Sequence, residues 1–227
     1  MEPEYVDGET LRRLGDRLDP SLRQFIVRSA ELGFLGGMPV DDQIDHSLGF
    51  AALIETRLGG PPRNGVVDLG TGGGVPGLVR AGCWADTRMV LIDASERRTR
   101  FLQEVIEAWS GGGSTVVVRG RAEELGHRAE LRECFDAVTS RSFGSPAVTA
   151  ECGSAFVTLD GLMVVSEPPD GDPTERWPSR GVAMVGLVKE AVARPDDRFG
   201  YQILRKCGPL DVRFPRRTGV PAKRPLF

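Results

Sequence analysis

Apolar residues recur along this chain with two different periods. Near the start, Leu11, Leu14 and Leu18 stand at helical spacing. The stretch from Pro20 to Leu32 sets Leu22, Phe25, Ile26 and Ala30 on one face, behind a proline suited to a first helical turn. A third helix is predicted from Asp41 to Leu58, with Ile44, Leu48, Ala51, Ala52 and Ile54 inward and Gly59-Gly60-Pro61-Pro62 as its stop. These three read as packing elements. From Gly65 the rhythm changes to short apolar runs: Val66–Leu69, Met89–Ile92, Thr115–Val118, Ala137–Thr139 and Leu162–Val165. Between them lie helical patterns at Pro76–Ala81, Ser95–Trp109, Ala122–Leu131 and Pro146–Thr158. Two longer extended runs, Val182–Ala193 and Arg198–Lys206, flank Arg194-Pro195-Asp196-Asp197 and predict a terminal hairpin.

Strands that are apolar throughout, alternating with helices, indicate a parallel sheet covered on both faces. The predicted fold is therefore α/β and Rossmann-like, with N-terminal helices added. A length of 227 residues suits one such domain with a small extension. The expected division is a helical extension over 1–62, the α/β domain over 63–210 and a basic tail over 211–227. A composition 40% hydrophobic and 27% charged excludes disordered and fibrous classes. No apolar run has the length of a spanning helix, and Met1-Glu2-Pro3-Glu4 lacks the start of a signal peptide, so a cytoplasmic location without membrane attachment is expected.

Cys83, Cys134, Cys152 and Cys207 are scattered, without a Cys-x-x-Cys pair, and His46 and His127 are the only histidines. That pattern predicts ordinary thiols and no metal site. Charge is more informative than its sum of −3, because from Arg198 onward eight Lys and Arg face Asp211 alone. A basic terminus on an acidic body points to an anionic partner, with a merely solvated tail as the alternative.

The sharpest local feature is Asp68-Leu69-Gly70-Thr71-Gly72-Gly73-Gly74-Val75-Pro76-Gly77, where the first strand meets a helix. Glycines there allow tight turns and close approach of a ligand to the backbone. Gly72 to Gly77 also satisfies Gly-x-Gly-x-x-Gly, so a nicotinamide dinucleotide is one candidate ligand. Asp68 argues for another. A carboxylate there would disfavour a pyrophosphate but favour S-adenosyl-L-methionine, which carries an ammonium and a sulfonium. Asp68 as a simple cap for local N–H groups is the structural alternative. Asp93, 25 positions later at the end of the second strand, suits ribose hydroxyls in either case.

Gly70-Thr71-Gly72-Gly73-Gly74-Val75-Pro76-Gly77 resembles the cofactor loop of the bacterial 16S ribosomal RNA guanine-N7 methyltransferases, also called the glucose-inhibited division protein B family. The resemblance continues in order through Asp93-Ala94-Ser95-Glu96-Arg97-Arg98, Gly120-Arg121-Ala122-Glu123-Glu124-Leu125, Ser140-Arg141-Ser142-Phe143 and Pro215-Arg216-Arg217-Thr218-Gly219-Val220-Pro221-Ala222-Lys223-Arg224. It spans about 160 residues, from Val66 to the C-terminus. It implies a class I S-adenosylmethionine-dependent methyltransferase fold, a seven-stranded sheet ending in an antiparallel hairpin.

It also implies roles. Gly70 and Val75 would line the cofactor, Ala122 and Glu123 would flank its adenine, and Arg141 would reach both cofactor and target base as the catalytic group; the loop and strand ends read above add Asp68, Gly72, Gly74 and Asp93 to the cofactor side. Arg121 would lie on the RNA side, with 16S rRNA or the 30S particle as partner, and the charge of the tail adds Arg216, Arg217, Lys223 and Arg224 as candidate RNA contacts. Bottom-up alternatives are a first helical turn for Ala122-Glu123-Glu124 and surface ion pairs for Arg121 and Arg141. The tail, punctuated by Pro215, Pro221 and Pro225, is expected as an extended arm along phosphates.

Two places depart from the family. Its Lys-Gly pair after the fifth strand is here Ser166-Glu167-Pro168-Pro169, a charge reversal expected to weaken RNA binding. Its His-x-x-Asp-Ser-Leu is reduced to Asp45-His46-Ser47-Leu48, with His46 read as a satisfied surface histidine rather than a cleft residue. The alternative functions are methylation of another RNA or a small molecule, and a non-catalytic RNA-binding protein that keeps the fold.

Overall fold

The computed structural model describes residues 8–168, 173–196 and 198–227. Met1 to Glu4, Pro169 and the Asp197 of the expected hairpin turn lie outside the described residues. Helices α1 (Gly8–Arg17), α2 (Leu22–Glu31) and α3 (Val40–Leu58) come first. The sheet follows as β1 (Val66–Leu69), α4 (Gly77–Cys83), β2 (Met89–Asp93), α5 (Glu96–Ala108), β3 (Thr115–Arg119), α6 (Ala122–Leu125), β4 (Phe135–Ser140), α7 (Pro146–Gly153) and β5 (Val157–Glu167). Short helices α8 (Pro173–Arg176) and α9 (Ser179–Ala183) lead to β6 (Leu187–Asp196) and β7 (Phe199–Lys206), and α10 (Val220–Lys223) lies in the tail.

All seven strands join one sheet in the order β3-β2-β1-β4-β5-β7-β6. Strands β1 to β5 run parallel, whereas β7 is antiparallel to both β5 and β6. The α/β class and the terminal hairpin expected from the sequence are therefore present. Side chains alternate across the sheet with the period of two that strands impose. Val66, Met89, Leu91, Ala137, Leu162 and Val164 face α1 to α5, while Val67, Val90, Ile92, Val138, Met163 and Val165 face α6, α7 and α9. The first three helices thus share a core with the sheet rather than forming a core of their own.

Local differences from the expected elements have tertiary causes. The helix expected to run to Leu131 stops at Leu125, and the chain beyond it turns toward the C-terminal tail: His127 Nε2 lies 2.7 Å from the Pro215 carbonyl, and Arg132 donates to Phe214 and Leu210 carbonyls. The next helix ends at Gly153 and Val157 already belongs to β5, because Phe156 is drawn into the core. Val182, expected in the hairpin, sits in α9, and β6 starts only after Gly186 turns the chain with φ +71°. Pro76 caps α4 behind a cis Val75–Pro76 bond instead of lying within its first turn.

Strand order reverses beside β1, whose neighbours are β2 and β4. A crevice opens at such a switch point, outside the carboxyl ends of the strands. What anchors it is buried: Asp68, on β1, forms a 3.0 Å ion pair with Arg80 of α4, and both are fully buried. The same carboxylate accepts from the Thr139 hydroxyl on β4 at 2.8 Å and from the Gly77 N–H at the start of α4 at 3.0 Å. Burial holds the Arg80 guanidinium down to about 10, against the pull of Asp68. Arg80→Met strands the carboxylate and is expected to cost about 3–5 kcal/mol in urea unfolding. The double change Asp68→Asn with Arg80→Met is expected to cost less than the single one, since no buried charge is left unpaired.

Candidate active site

The glycine loop between β1 and α4 is shaped by backbone that side chains resist. Gly70 and Gly72 have φ of +69° and +58°, and a Cβ on Gly70 would stand 2.5 Å from the Phe143 ring. Ser29 of α2 holds the loop from behind, donating to the Gly73 carbonyl at 2.8 Å. On the other side Asp93 at the end of β2 accepts from the Gly72 N–H at 2.9 Å and the Ser95 N–H at 2.8 Å. Asp93 also lines the crevice, with Arg98 Nη1 3.7 Å from its Oδ2, and each carboxylate oxygen has capacity for a further donor.

A cleft of about 600 Å³ opens here, with Gly70, Asp93, Gly120, Ala122, Glu123 and Phe143 among its walls. Glu123 forms part of the far wall, where its Oε1 accepts from the Gly219 N–H at 3.0 Å. Burial pushes this carboxyl up, but Gly219, its own N–H and Arg121 outweigh burial and hold it below the usual carboxylate range. Ala222 in α10 completes the rim, so the C-terminal tail is part of the cleft.

A small hollow of about 150 Å³ adjoins the loop, between Phe34–Gly36 and Gly70–Gly73, with Val75, Arg98 and Arg141 at its edges. Two buried polar atoms there have no hydrogen-bond partner among the described residues, the Thr71 hydroxyl and Nη1 of Arg141. Such atoms cost energy unless a ligand satisfies them. Burial lowers the pKa of Arg141, with the charge of Asp68 opposing the shift. A second cleft, of about 470 Å³, lies across Arg141, Ser142 and Phe143, and shares Ser142 and Phe143 with the first. Its walls are aromatic and cationic: Trp177, Phe199 and His46 with Arg141, Arg176 and Arg198.

S-adenosylmethionine fits this arrangement. The orphaned Thr71 and Arg141 donors suit the amino-acid end of the cofactor, and the Asp93 lone pairs suit ribose hydroxyls. Ala122 and Glu123 suit the adenine. Gly70, Gly72, Gly74 and Val75 all belong to the loop that shapes this side, though Gly74 turns its missing Cβ toward Leu78 and Leu102 of the core.

Several expected contacts are corrected. Asp68 does not face the cleft, because Arg80 and two further donors hold its carboxylate beneath the loop. Arg216 is not free for phosphate either. It wraps the fully buried Glu151 of α7, Nη2 to Oε2 at 2.6 Å, and Nη2 also donates to the Arg224 carbonyl. That pairing raises its pKa. The tail is a pinned segment rather than an extended arm. Arg121, Arg217, Lys223 and Arg224 do stay exposed around it. His46 is buried, stacked on Phe199 at 4.7 Å, and so is no surface histidine.

Sequence reasoning missed Thr71, Phe143, Arg176 and Trp177 as site residues. Thr71 lies in the glycine loop and Phe143 in Ser140-Arg141-Ser142-Phe143, neither with a chemical signal of its own, and Arg176 and Trp177 carry no signal of spacing at all. The reversed charge of Glu167 is offset on the spot, since its carboxylate accepts from Arg176 Nε and Trp177 Nε1, each at 2.8 Å.

Comparison with known proteins agrees with this geometry. Residues 44–167 match the family model for rRNA small subunit methyltransferase G. A protein of Moorella thermoacetica named ribosomal RNA small subunit methyltransferase G is 32% identical over 179 residues, covering 77% of this chain and 74% of its own. The protein of the same name from Symbiobacterium thermophilum is 32% identical over 197 residues, 83% of this chain and 80% of its own. Among solved structures, a mutant of the 16S rRNA (adenine(1408)-N(1))-methyltransferase from Catenulisporales acidiphilia, with cosubstrate SAM, has a TM-score of 0.53 at 17% identity, over 64% of this chain and 86% of that one. This likeness is one of fold, that of the class I S-adenosylmethionine-dependent methyltransferases. With a family model matching more than half of its length and relatives 32% identical over most of both chains, the chain belongs to the rRNA small subunit methyltransferase G family.

Proposed function

We propose that this protein transfers the methyl group of S-adenosyl-L-methionine to N7 of a guanine in 16S rRNA, acting in the cytoplasm on free RNA or the 30S particle. The observation that carries the reading is the meeting of two clefts beside Arg141. One has groups for a nucleoside-like cofactor, the other has aromatic walls for a planar base, and Arg141 Nη1 lies buried without a partner near their junction.

The cofactor supplies an electrophilic methyl group. Guanine N7 has a lone pair and no proton, so the chain needs no general base. Its residues have to hold the base in line and keep water out, and positioning of this kind is worth on the order of 7–11 kcal/mol. Arg141, as a donor, suits O6 on the acceptor edge of guanine and leaves the N7 lone pair free for the methyl. The base must leave its stack to enter the aromatic cleft. The exposed Arg121, Arg217, Lys223 and Arg224 suit phosphates near the rim. The reading in which another RNA or a small molecule is methylated draws on the charge of Glu167 and on the altered N-terminal region, and Arg176 offsets the first of these.

Labelled methyl transfer to 30S particles and 16S RNA lacking their own modification, followed by mass mapping, is expected to yield a single N7-methylguanine. Incorporation at another atom or into no rRNA would overturn the reading. Arg141→Ala is expected to lower kcat/KM by about 10²–10³-fold, the usual loss for one preorganised donor, in steady-state assays.

Replacing Arg217, Lys223 and Arg224 together by Ala is expected to flatten the slope of log affinity against log salt by about 2–3, with cofactor affinity unchanged by calorimetry. Arg216→Ala should behave differently. It strands Glu151 and is expected to cost about 3–5 kcal/mol of stability in urea unfolding.

A further inference from the structure

Glu167 ends β5 at the floor of the second cleft, and its side chain is only 4% exposed. Ser140 of β4 pairs with Val165 of β5, so Arg141 and Glu167 follow at the ends of neighbouring strands, and both line this cleft. Arg176 Nε and Trp177 Nε1 each donate to one carboxylate oxygen, which fixes the plane of the group. Each oxygen retains a further lone pair. The cleft therefore offers a donor, the guanidinium of Arg141, and a rigid double acceptor, with aromatic rings of Phe143, Trp177 and Phe199 among its walls.

Resting on the function proposed above, we infer that Glu167 determines base specificity by accepting from the N1–H and 2-amino group of the target guanine. A guanine held by O6 on Arg141, with N7 left free for the methyl, presents the adjoining N1–H and 2-amino group of its Watson–Crick edge to the part of the cleft that Glu167 lines. Guanine presents two adjacent donors on that edge. Adenine presents an acceptor at N1 in place of a donor, and a carboxylate there would repel it. Flipped bases are read in this manner, by their pairing edge and by stacking. The acidic residue is thus a reader of the base, while Arg176 offsets its charge toward the RNA backbone.

The test compares 30S particles reconstituted with guanosine or with inosine at the mapped target. Inosine keeps N7, O6 and N1–H but lacks the 2-amino group. The intact enzyme is expected to favour guanosine by roughly tenfold or more in kcat/KM, since the site would leave an acceptor unpaired with inosine. Glu167→Gln is expected to bring the ratio close to one, with cofactor affinity by calorimetry unchanged. Equal rates for the intact enzyme on both particles overturn the assignment without any variant, and so does a Glu167→Gln protein that keeps the full preference. A Glu167→Gln protein too unstable to assay is replaced by Trp177→Phe, which frees one carboxylate oxygen and is expected to narrow the ratio; an unchanged ratio there also overturns the assignment. Absence of methyl transfer to the guanosine particle would instead overturn the proposed function itself.

Discussion

A buried charge pair holds the crevice in shape. Asp68 and Arg80 are both removed from water, and the carboxylate gathers donors from the start of α4 and from β4 as well as the guanidinium. Three elements are therefore tied to one point directly beneath the glycine loop. Removing two charges from water is expensive, and such pairs often contribute little net stability over apolar residues. Here the pair does something packing alone would not: it fixes where the loop leaves β1 and where α4 begins. With the loop held, Gly72 meets Asp93 and the cleft acquires its ribose side.

The opposite wall obeys a similar logic with a different partner. Glu151, wholly buried in α7, is met by the Arg216 side chain and backbone N–H. Glu123 is met by the N–H of Gly219 three residues further on. The basic tail is thereby folded back against the sheet domain, its prolines bending it around α6 and α7 rather than extending it away. One segment both closes the cofactor side and carries exposed cations to the rim, so the two binding surfaces share a support.

Charge in the second cleft is balanced within a few residues. Arg198 pairs with Asp42 and Asp45 on α3, and Glu167 pairs with Arg176. Arg141 is the cation left with a buried, unpartnered nitrogen among the groups named there. The second cleft thus combines aromatic rings with a donor and an oriented carboxylate, the groups the proposed base reading requires.

The elements of the sheet were legible in the amino-acid pattern, because a strand buried on both faces must be apolar at every position and a covering helix only on one side. The glycine loop, Asp93 at its strand end and the terminal hairpin were legible for the same kind of reason, since each depends on residue type at a local spacing, whereas Arg141 was singled out only by the family resemblance. What Asp68, Arg216, His46 and Glu167 do was not legible. A charged side chain reads alike in sequence whether it faces a ligand or a buried partner, and the partners here are Arg80, Glu151 and Arg176, with Phe199 under the imidazole. Sequence determined which chemistry could gather at the switch point. Only tertiary structure decided which charges were already spent, because contacts between distant segments settle which lone pairs and donors remain for a ligand.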